Sequence, residues 1–318
     1  MCIIRGYPNM IKTVIFLLLG FVLLIKGADF FVDGSSAVAK LFHIPSLVVG
    51  LTIVALGTSL PELSVSVAAS MKGSNSLAIS NVVGSNIFNL MVVLGASALM
   101  NAIPVGKDVL KRDLPFSMIC AGLIMVFALL GNGIERGEGI AMVILLVVYI
   151  AFLVGKALHN KEEQEEEEKP LALPLAILFI VGGAVAVKFG GDFVVDSAVE
   201  IARAFGLSET LIGLTIVACG TSLPELVTSM VAAKKNQLEM ALGNCIGSNI
   251  FNLLGILGTA AAISPIGMTT ENVIDCVILL AFSAFILING IARKQLNRLA
   301  GALMILMYGG FLYYICVR

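Results

Sequence analysis

The sequence predicts an all-α polytopic membrane protein of ten transmembrane helices, arranged as two inverted five-helix repeats. Composition is the first reason. Of 318 residues, 58 % are hydrophobic and 13 % charged, with a mean hydropathy of +1.02. A soluble domain carries about 25 % charged residues to coat its surface, so an ordinary globular enzyme, a disordered chain and a nucleic-acid binder are excluded. The second reason is the length of the uncharged runs: 34 residues in Gly73–Gly106, 31 in Met240–Thr270 and 21 in Leu114–Ile134. A bilayer core takes about 20 apolar residues per helix. The third is an internal repeat. A shift of 163 residues lays Gly50–Gly95 on Gly213–Gly258 without a gap, with 27 of 46 positions identical. Asp29, Phe30 and Asp33 fall on Asp192, Phe193 and Asp196.

Five helices are expected in the first half, at 11–40, 43–71, 76–101, 113–132 and 138–159. The opening run resembles a signal peptide, with Arg5 and Lys12 before Thr13–Ile25. Its apolar character continues through Gly27–Leu41 with no cleavage site ahead of a polar region, so it reads as the first membrane helix. Residues 1–9 read as an unstructured extension. The second half repeats the pattern at 171–201, 206–234, 238–263, 272–291 and 297–316. Five is odd, so the second half enters the membrane upside-down relative to the first. Inverted repeats are a transporter architecture, with the substrate site near the midplane between the halves. The division is therefore 1–160, an acidic linker at 161–170, and 171–318.

The linker carries KEEQEEEEK at Lys161–Lys169, which cannot bury apolar surface and reads as a solvated cytoplasmic loop. Orientation follows from Lys and Arg. With both termini outside, twelve cationic residues face the cytoplasm and six face outwards, leaving aside Lys26 and Lys188 within helices. The expectation is a multi-pass protein of the cell (inner) membrane. The six cysteines show no CxxC spacing and read as buried small hydrophobes without disulfides.

Each half interrupts an apolar helix with the same polar sequence, Gly57-Thr58-Ser59-Leu60-Pro61-Glu62 and Gly220-Thr221-Ser222-Leu223-Pro224-Glu225. Proline removes an amide hydrogen and blocks the bond to the carbonyl four residues back, here Gly57 and Gly220. Irregular backbone at membrane depth persists only where it lines a cavity or is buried in protein. A glutamate at a helix centre opposes insertion by about 2.5–3.5 kcal/mol, so Glu62 and Glu225 point to function. Thr58 and Ser59 precede Glu62 by four and three residues, on one helix face, and Thr221 and Ser222 do the same for Glu225.

The following helix carries a stripe at steps of four: Asn81, Ser85 and Asn89, repeated as Asn244, Ser248 and Asn252. One such stripe alone reads as glue between helices. Two, each after a broken glutamate-bearing helix, read as the wall of a site. All donors are oxygen, which suits hard cations such as Ca²⁺ and Na⁺; Zn²⁺ or copper call for imidazole or thiolate. His43 and His159 fall at helix ends, and Cys219 and Cys245 are the soft donors flanking the motifs. Lys26 with Asp29 and Lys188 with Asp192 have ion-pair spacing. Asp33 and Asp196 read as solvated helix-end residues, with a gate or entrance role as the alternative, and Glu239 and Glu271 as loop or helix-start residues.

The duplicated GTSLPE helix followed by GSNIFN resembles the sodium/calcium exchangers of the cation/calcium antiporter superfamily, prokaryotic members above all. The resemblance implies ten helices, with the second, third, seventh and eighth around the ions. By position it implies the ligands Thr58, Ser59, Glu62, Ser85 and Asn89, and Thr221, Ser222, Glu225, Ser248 and Asn252. Ala55 and Ala218 would add main-chain carbonyls. Some members carry aspartate at the position of Asn89 or Asn252, where this chain has asparagine twice. The implied activity is exchange of three Na⁺ for one Ca²⁺ by alternating access, with no prosthetic group, the bilayer as environment, and no nucleic-acid or obligate protein partner. A H⁺/Ca²⁺ antiporter, K⁺-dependent exchange and a cation channel are alternatives. An intramembrane hydrolase is disfavoured, because no His or Lys is placed to activate Ser59 or Ser222.

Overall fold

The computed structural model describes residues 10–73, 75–131, 133–159, 171–207, 216 and 218–317. The chain is almost wholly helical. The first half runs α1 (Met10–Phe42), α2 (Ser46–Thr58), α3 (Leu60–Met71), α4 (Leu77–Met100), α5 (Val109–Gly131) and α6 (Arg136–His159). The second runs α7 (Leu173–Ala204), the short turn α8 (Ala218–Gly220), α9 (Leu223–Lys234), α10 (Leu238–Ile263), α11 (Thr270–Arg293) and α12 (Arg298–Val317). Among the described residues eight helices are long and apolar enough to cross a membrane, and the bent pair α2–α3 makes up to nine. The acidic linker and the stretch 208–215 of the expected seventh helix lie outside the described residues.

Burial separates the helices into two groups. In α4 and α10, 78 % of the most apolar window is buried in protein, against 22–33 % in the other long helices. These two therefore form the centre, while the outer helices present side chains such as Ile15, Leu130, Ile144 and Leu178 outwards. Both central helices widen into a π-turn, at Asn89–Val93 and Phe251–Ile256, and further such turns lie at Gly50–Val54 in α2 and Val109–Asp113 in α5. Hydropathy gives no sign of these turns.

Contacts between the halves come in reciprocal pairs. Helices α1 and α7 lie antiparallel along their length, and glycine makes the approach close. A Cβ on Gly20 would sit 3.0 Å from the Gly190 carbonyl oxygen, and one on Gly27 would sit 3.0 Å from that of Gly183. In the repeat, Gly20 corresponds to Gly183 and Gly27 to Gly190, so each contact is matched by its equivalent. Two short antiparallel ribbons obey the same rule: β1 (Ile103–Pro104) pairs with β4 (Gln295–Leu296), and β2 (Gly133–Ile134) with β3 (Ile266–Gly267). Gly133 is obligatory there, since a Cβ would lie 2.1 Å from the Ile266 oxygen.

Three expectations about charge are settled by this packing. Lys26 pairs with Asp29 at 3.6 Å, and Lys188 pairs with Asp192. Asp33 and Asp196 are not helix-end residues. α1 continues to Phe42 and α7 to Ala204, and Asp33 instead pairs with Lys235 at 2.7 Å. The five described cysteines are free thiols.

Candidate functional site

The chain bends by 50° between α2 and α3, at Ser59. Ser59 has φ −85° and ψ 9°, and its equivalent Ser222 has φ −94° and ψ 9° ahead of α9. Proline at the second position of α3 and α9 explains the restart: it tolerates the first turn of a helix and interrupts one already running. Phe31 packs on Gly57 and Val195 on Gly220, where a Cβ would meet them at 2.5 Å and 2.4 Å. The glycines of the two motifs therefore let α1 and α7 close over the breaks.

The bends bring each half's serine to the other half's glutamate. Ser59 Oγ donates to Glu225 Oε1 at 2.8 Å, and Ser222 Oγ donates to Glu62 Oε1 at 3.1 Å. All four side chains are fully buried. A hydroxyl that donates its proton keeps its lone pairs, so each serine–glutamate pair still presents hydroxyl lone pairs and a second carboxylate oxygen.

The remaining oxygens are left open. Among the described residues, the buried side-chain oxygens without a hydrogen-bond partner are Glu62 Oε2, Glu225 Oε2, Ser85 Oγ, Ser248 Oγ, Asn89 Oδ1, Asn252 Oδ1 and Thr221 Oγ1, together with Ser35 Oγ and Thr228 Oγ1. All but the last two belong to the residues singled out from the sequence. Leaving a buried acceptor unpaired costs about 1–3 kcal/mol each, and these singled-out atoms lie at the second break, on the two helices that follow the breaks and on the two central helices packed against them.

Other members of the expected set are placed differently. Asn81 Nδ2 donates to Ser66 Oγ at 3.1 Å, and Asn244 Nδ2 to Ser229 Oγ at 2.9 Å. The first residue of each stripe thus ties its own half together. Thr58 Oγ1 has Asn244 Oδ1 at 3.1 Å and the Val54 carbonyl at 3.2 Å, so it is engaged where Thr221 is open. The Ala55 carbonyl accepts the Ser59 N–H at 3.1 Å and has the Thr58 hydroxyl at 3.4 Å. Ala218 opens α8. The soft donors have their own neighbours, Cys245 near Ser229 at 3.9 Å and Cys219 near Tyr308 at 3.6 Å.

Sequence reading missed Asn86 and Asn249. They cross-link α4 and α10, each donating Nδ2 to the other's main-chain oxygen at 3.2 Å. Their repetition within GSNIFN was the available signal. They fall one residue off the stripe of four, so helical spacing alone passes over them.

The two ends of the site differ. At one, a cleft of about 340 Å³ between α7 and the breaks is lined by Pro61, Asp192, Asp196, Thr221 and Pro224 among others. At the equivalent place in the other half, Lys235 at the end of α9 reaches across to α1. It sits 3.4 Å from Asp29 Oδ1, 2.7 Å from Asp33 Oδ1 and 3.2 Å from the Asp29 carbonyl. Lys72, the counterpart of Lys235, makes no ion pair among the described residues.

Residues 12–155 and 175–317 match the family described as sodium/calcium exchanger protein. The chain belongs to the sodium/calcium exchanger family. This exchanger is 32 % identical over 336 residues to the sodium/calcium exchanger MaX1 of Methanosarcina acetivorans, covering 93 % of the chain and 96 % of that protein. It is 36 % identical over 265 residues to the inner membrane protein YrbG of Escherichia coli, covering 80 % of the chain and 81 % of the relative. Among solved structures, the sodium-calcium exchanger NCX_Mj superposes with a TM-score of 0.83 at 31 % identity, over 97 % of this chain and 98 % of that one. The exchanger is thus a helical membrane protein of the cation/calcium antiporter class, and its relatives are transporters.

Proposed function

We propose that this chain exchanges Na⁺ for Ca²⁺ across the cell (inner) membrane by alternating access, three Na⁺ for each Ca²⁺. Ten helices in two inverted halves, 1–160 and 171–318 with the linker 161–170 between them, carry the exchange, with both termini outside. The ions are cargo, and the reading needs no prosthetic group and no obligate protein partner. One observation carries it: the buried oxygens of Glu62, Glu225, Ser85, Ser248, Asn89, Asn252 and Thr221, all without a hydrogen-bond partner, on or next to helices that pack against one another and include two carboxylates. A cage of neutral oxygens around two anions is chemistry for hard cations. Protons need only the carboxylates, and a nucleophile would need a base.

In this reading Glu62 and Glu225 supply the charge that balances Ca²⁺. Ser59, Ser222, Thr58, Thr221, Ser85, Ser248, Asn89 and Asn252 supply neutral oxygens, and Ala55 and Ala218 supply main-chain carbonyls. The unequal ends support alternating access. A cleft reaches Thr221 on one side, while Lys235 holds α1 against α9 on the other. Exchanging these roles between equivalent residues turns the site to the opposite face.

The test is ⁴⁵Ca²⁺ uptake into liposomes holding the purified protein, against imposed Na⁺, K⁺ and H⁺ gradients. Uptake should follow an outward Na⁺ gradient at clamped pH and without K⁺. Uptake driven by a proton gradient alone overturns the Na⁺ assignment, and flux without any counter-ion makes the protein a channel.

A further inference from the structure

We propose that Asn86 and Asn249 are positioning residues for ion exchange: they lock the amides of Asn252 and Asn89 with the oxygen turned to the ions. The proposal rests on the ion-site reading above and explains how two neutral residues serve it. A side-chain amide is nearly the same shape when flipped, but its chemistry reverses. With oxygen inward it attracts a cation; with NH₂ inward it repels one. Something must set the direction.

The setting starts from the main chain, which cannot flip. The carbonyl of Asn249 only accepts, so the group of Asn86 facing it at 3.2 Å is Nδ2. That leaves Asn86 Oδ1 on the other side, where it accepts from Asn252 Nδ2 at 3.0 Å. Asn252 Oδ1 is then the end left over, buried and without a partner. The second half repeats each step. Asn249 Nδ2 donates to the Asn86 carbonyl at 3.2 Å, Asn249 Oδ1 accepts from Asn89 Nδ2 at 3.3 Å, and Asn89 Oδ1 is the unpartnered atom. Each chain of bonds begins on a main-chain oxygen of one half and ends on an open amide oxygen of the same half, passing through an asparagine of the other. Asn86, Asn89 and Asn252 are fully buried and Asn249 is 1 % exposed, so these amides are shielded from bulk solvent. Both relays lie beside the π-turns of α4 and α10.

A positioning role differs measurably from helix glue. The probe is ⁴⁵Ca²⁺ binding to the purified, full-length protein, with Na⁺ as competitor, alongside the thermal midpoint of each variant. Asn252→Ala removes an ion oxygen and should weaken Ca²⁺ binding about tenfold or more. Asn86→Ala should weaken it similarly, since outer partners of metal ligands are typically worth about 10–100-fold in affinity. The double variant should bind no worse than Asn252→Ala alone, because Asn86 then has no amide to orient. Multiplying losses in the double variant, or wild-type binding by Asn86→Ala, overturn the positioning role while leaving the ion site intact. Wild-type binding by Asn252→Ala overturns the site reading itself. Should Asn86→Ala fail to fold, the equivalent cycle with Asn249→Ala and Asn89→Ala makes the same demands. Asn86→Ser also serves, since its rotating hydroxyl fixes neither amide direction and must lose affinity.

Discussion

Glu62→Gln keeps the shape of the side chain and removes one of the two formal charges at the breaks. Glu62 is fully buried, its Oε1 accepts from Ser222 and its Oε2 has no partner, so no solvent screens the loss. With Ca²⁺ at the usual oxygen distance of about 2.4 Å, one carboxylate attracts it by roughly 14 kcal/mol at an effective dielectric of about 20. Na⁺ at a similar distance gains about half, roughly 7 kcal/mol. The cost of holding an ionised carboxylate out of water, several kcal/mol, is common to both ions and cancels in the comparison. Ion for ion, the substitution therefore costs a Ca²⁺ about 7 kcal/mol more than a single Na⁺, and even a fifth of that difference is a tenfold change in preference. In liposomes, Glu62→Gln should lose Na⁺-driven ⁴⁵Ca²⁺ uptake while inserting normally. Insertion should if anything improve, because a costly intramembrane acid has gone. Uptake near the wild-type level, in protein shown to be inserted, refutes the assignment of Glu62 to the ion.

Three further outcomes are expected. Gly27→Val should destabilise the detergent-solubilised protein by about 1–3 kcal/mol or more, since a Cβ there would lie 2.8 Å from Val187 N; Gly122→Ala, with nothing within 4 Å, should leave the melting midpoint unchanged. Replacing the glutamates of Glu162–Glu168 with Ser and Gly should preserve Na⁺-dependent Ca²⁺ flux, because a linker tolerates changes that keep its ends within reach; loss of flux in a well-inserted variant would make the loop part of the mechanism. Exchange should be electrogenic, as Glu62 and Glu225 balance one Ca²⁺ and leave three Na⁺ one charge in excess. A potential of 100 mV on that charge is worth about 2.3 kcal/mol, so an inside-negative potential should drive Ca²⁺ out of vesicles as Na⁺ enters, and voltage-independent flux would point to a two-for-one exchange.

The helices and the breaks were legible because each follows from local chemistry. Uncharged runs mark the spans, and Pro61 and Pro224 mark where a helix must restart. The 163-residue repeat made the equivalence of Ser59 with Ser222 and of Glu62 with Glu225 plain. What it could not convey is that the hydrogen bonds cross over, Ser59 to Glu225 and Ser222 to Glu62. Repetition identifies equivalent residues, whereas the crossing depends on how the halves meet. Asn86 and Asn249 were passed over for a related reason. Both lie in regular α-helix one residue off the stripe, and each finds its partner in the other half, which spacing within one helix cannot show. Asp33 was read as a solvated helix-end residue, but it sits within α1 and pairs with Lys235, a partner 202 residues away that no local pattern reveals.

The crossed serine–glutamate bonds also set an order of events during synthesis. Glu62 leaves the ribosome 160 residues before Ser222, its hydrogen-bond donor. At translation speeds of about 5–20 residues per second, that gap lasts roughly 8–30 s. Throughout it the first half carries a glutamate whose partner has not yet been made, so that half cannot complete its polar interior alone. Ser59, by contrast, is already waiting when Glu225 emerges. A chain truncated before Ser222 should therefore remain an unfinished substrate for membrane quality control, however well its first helices insert.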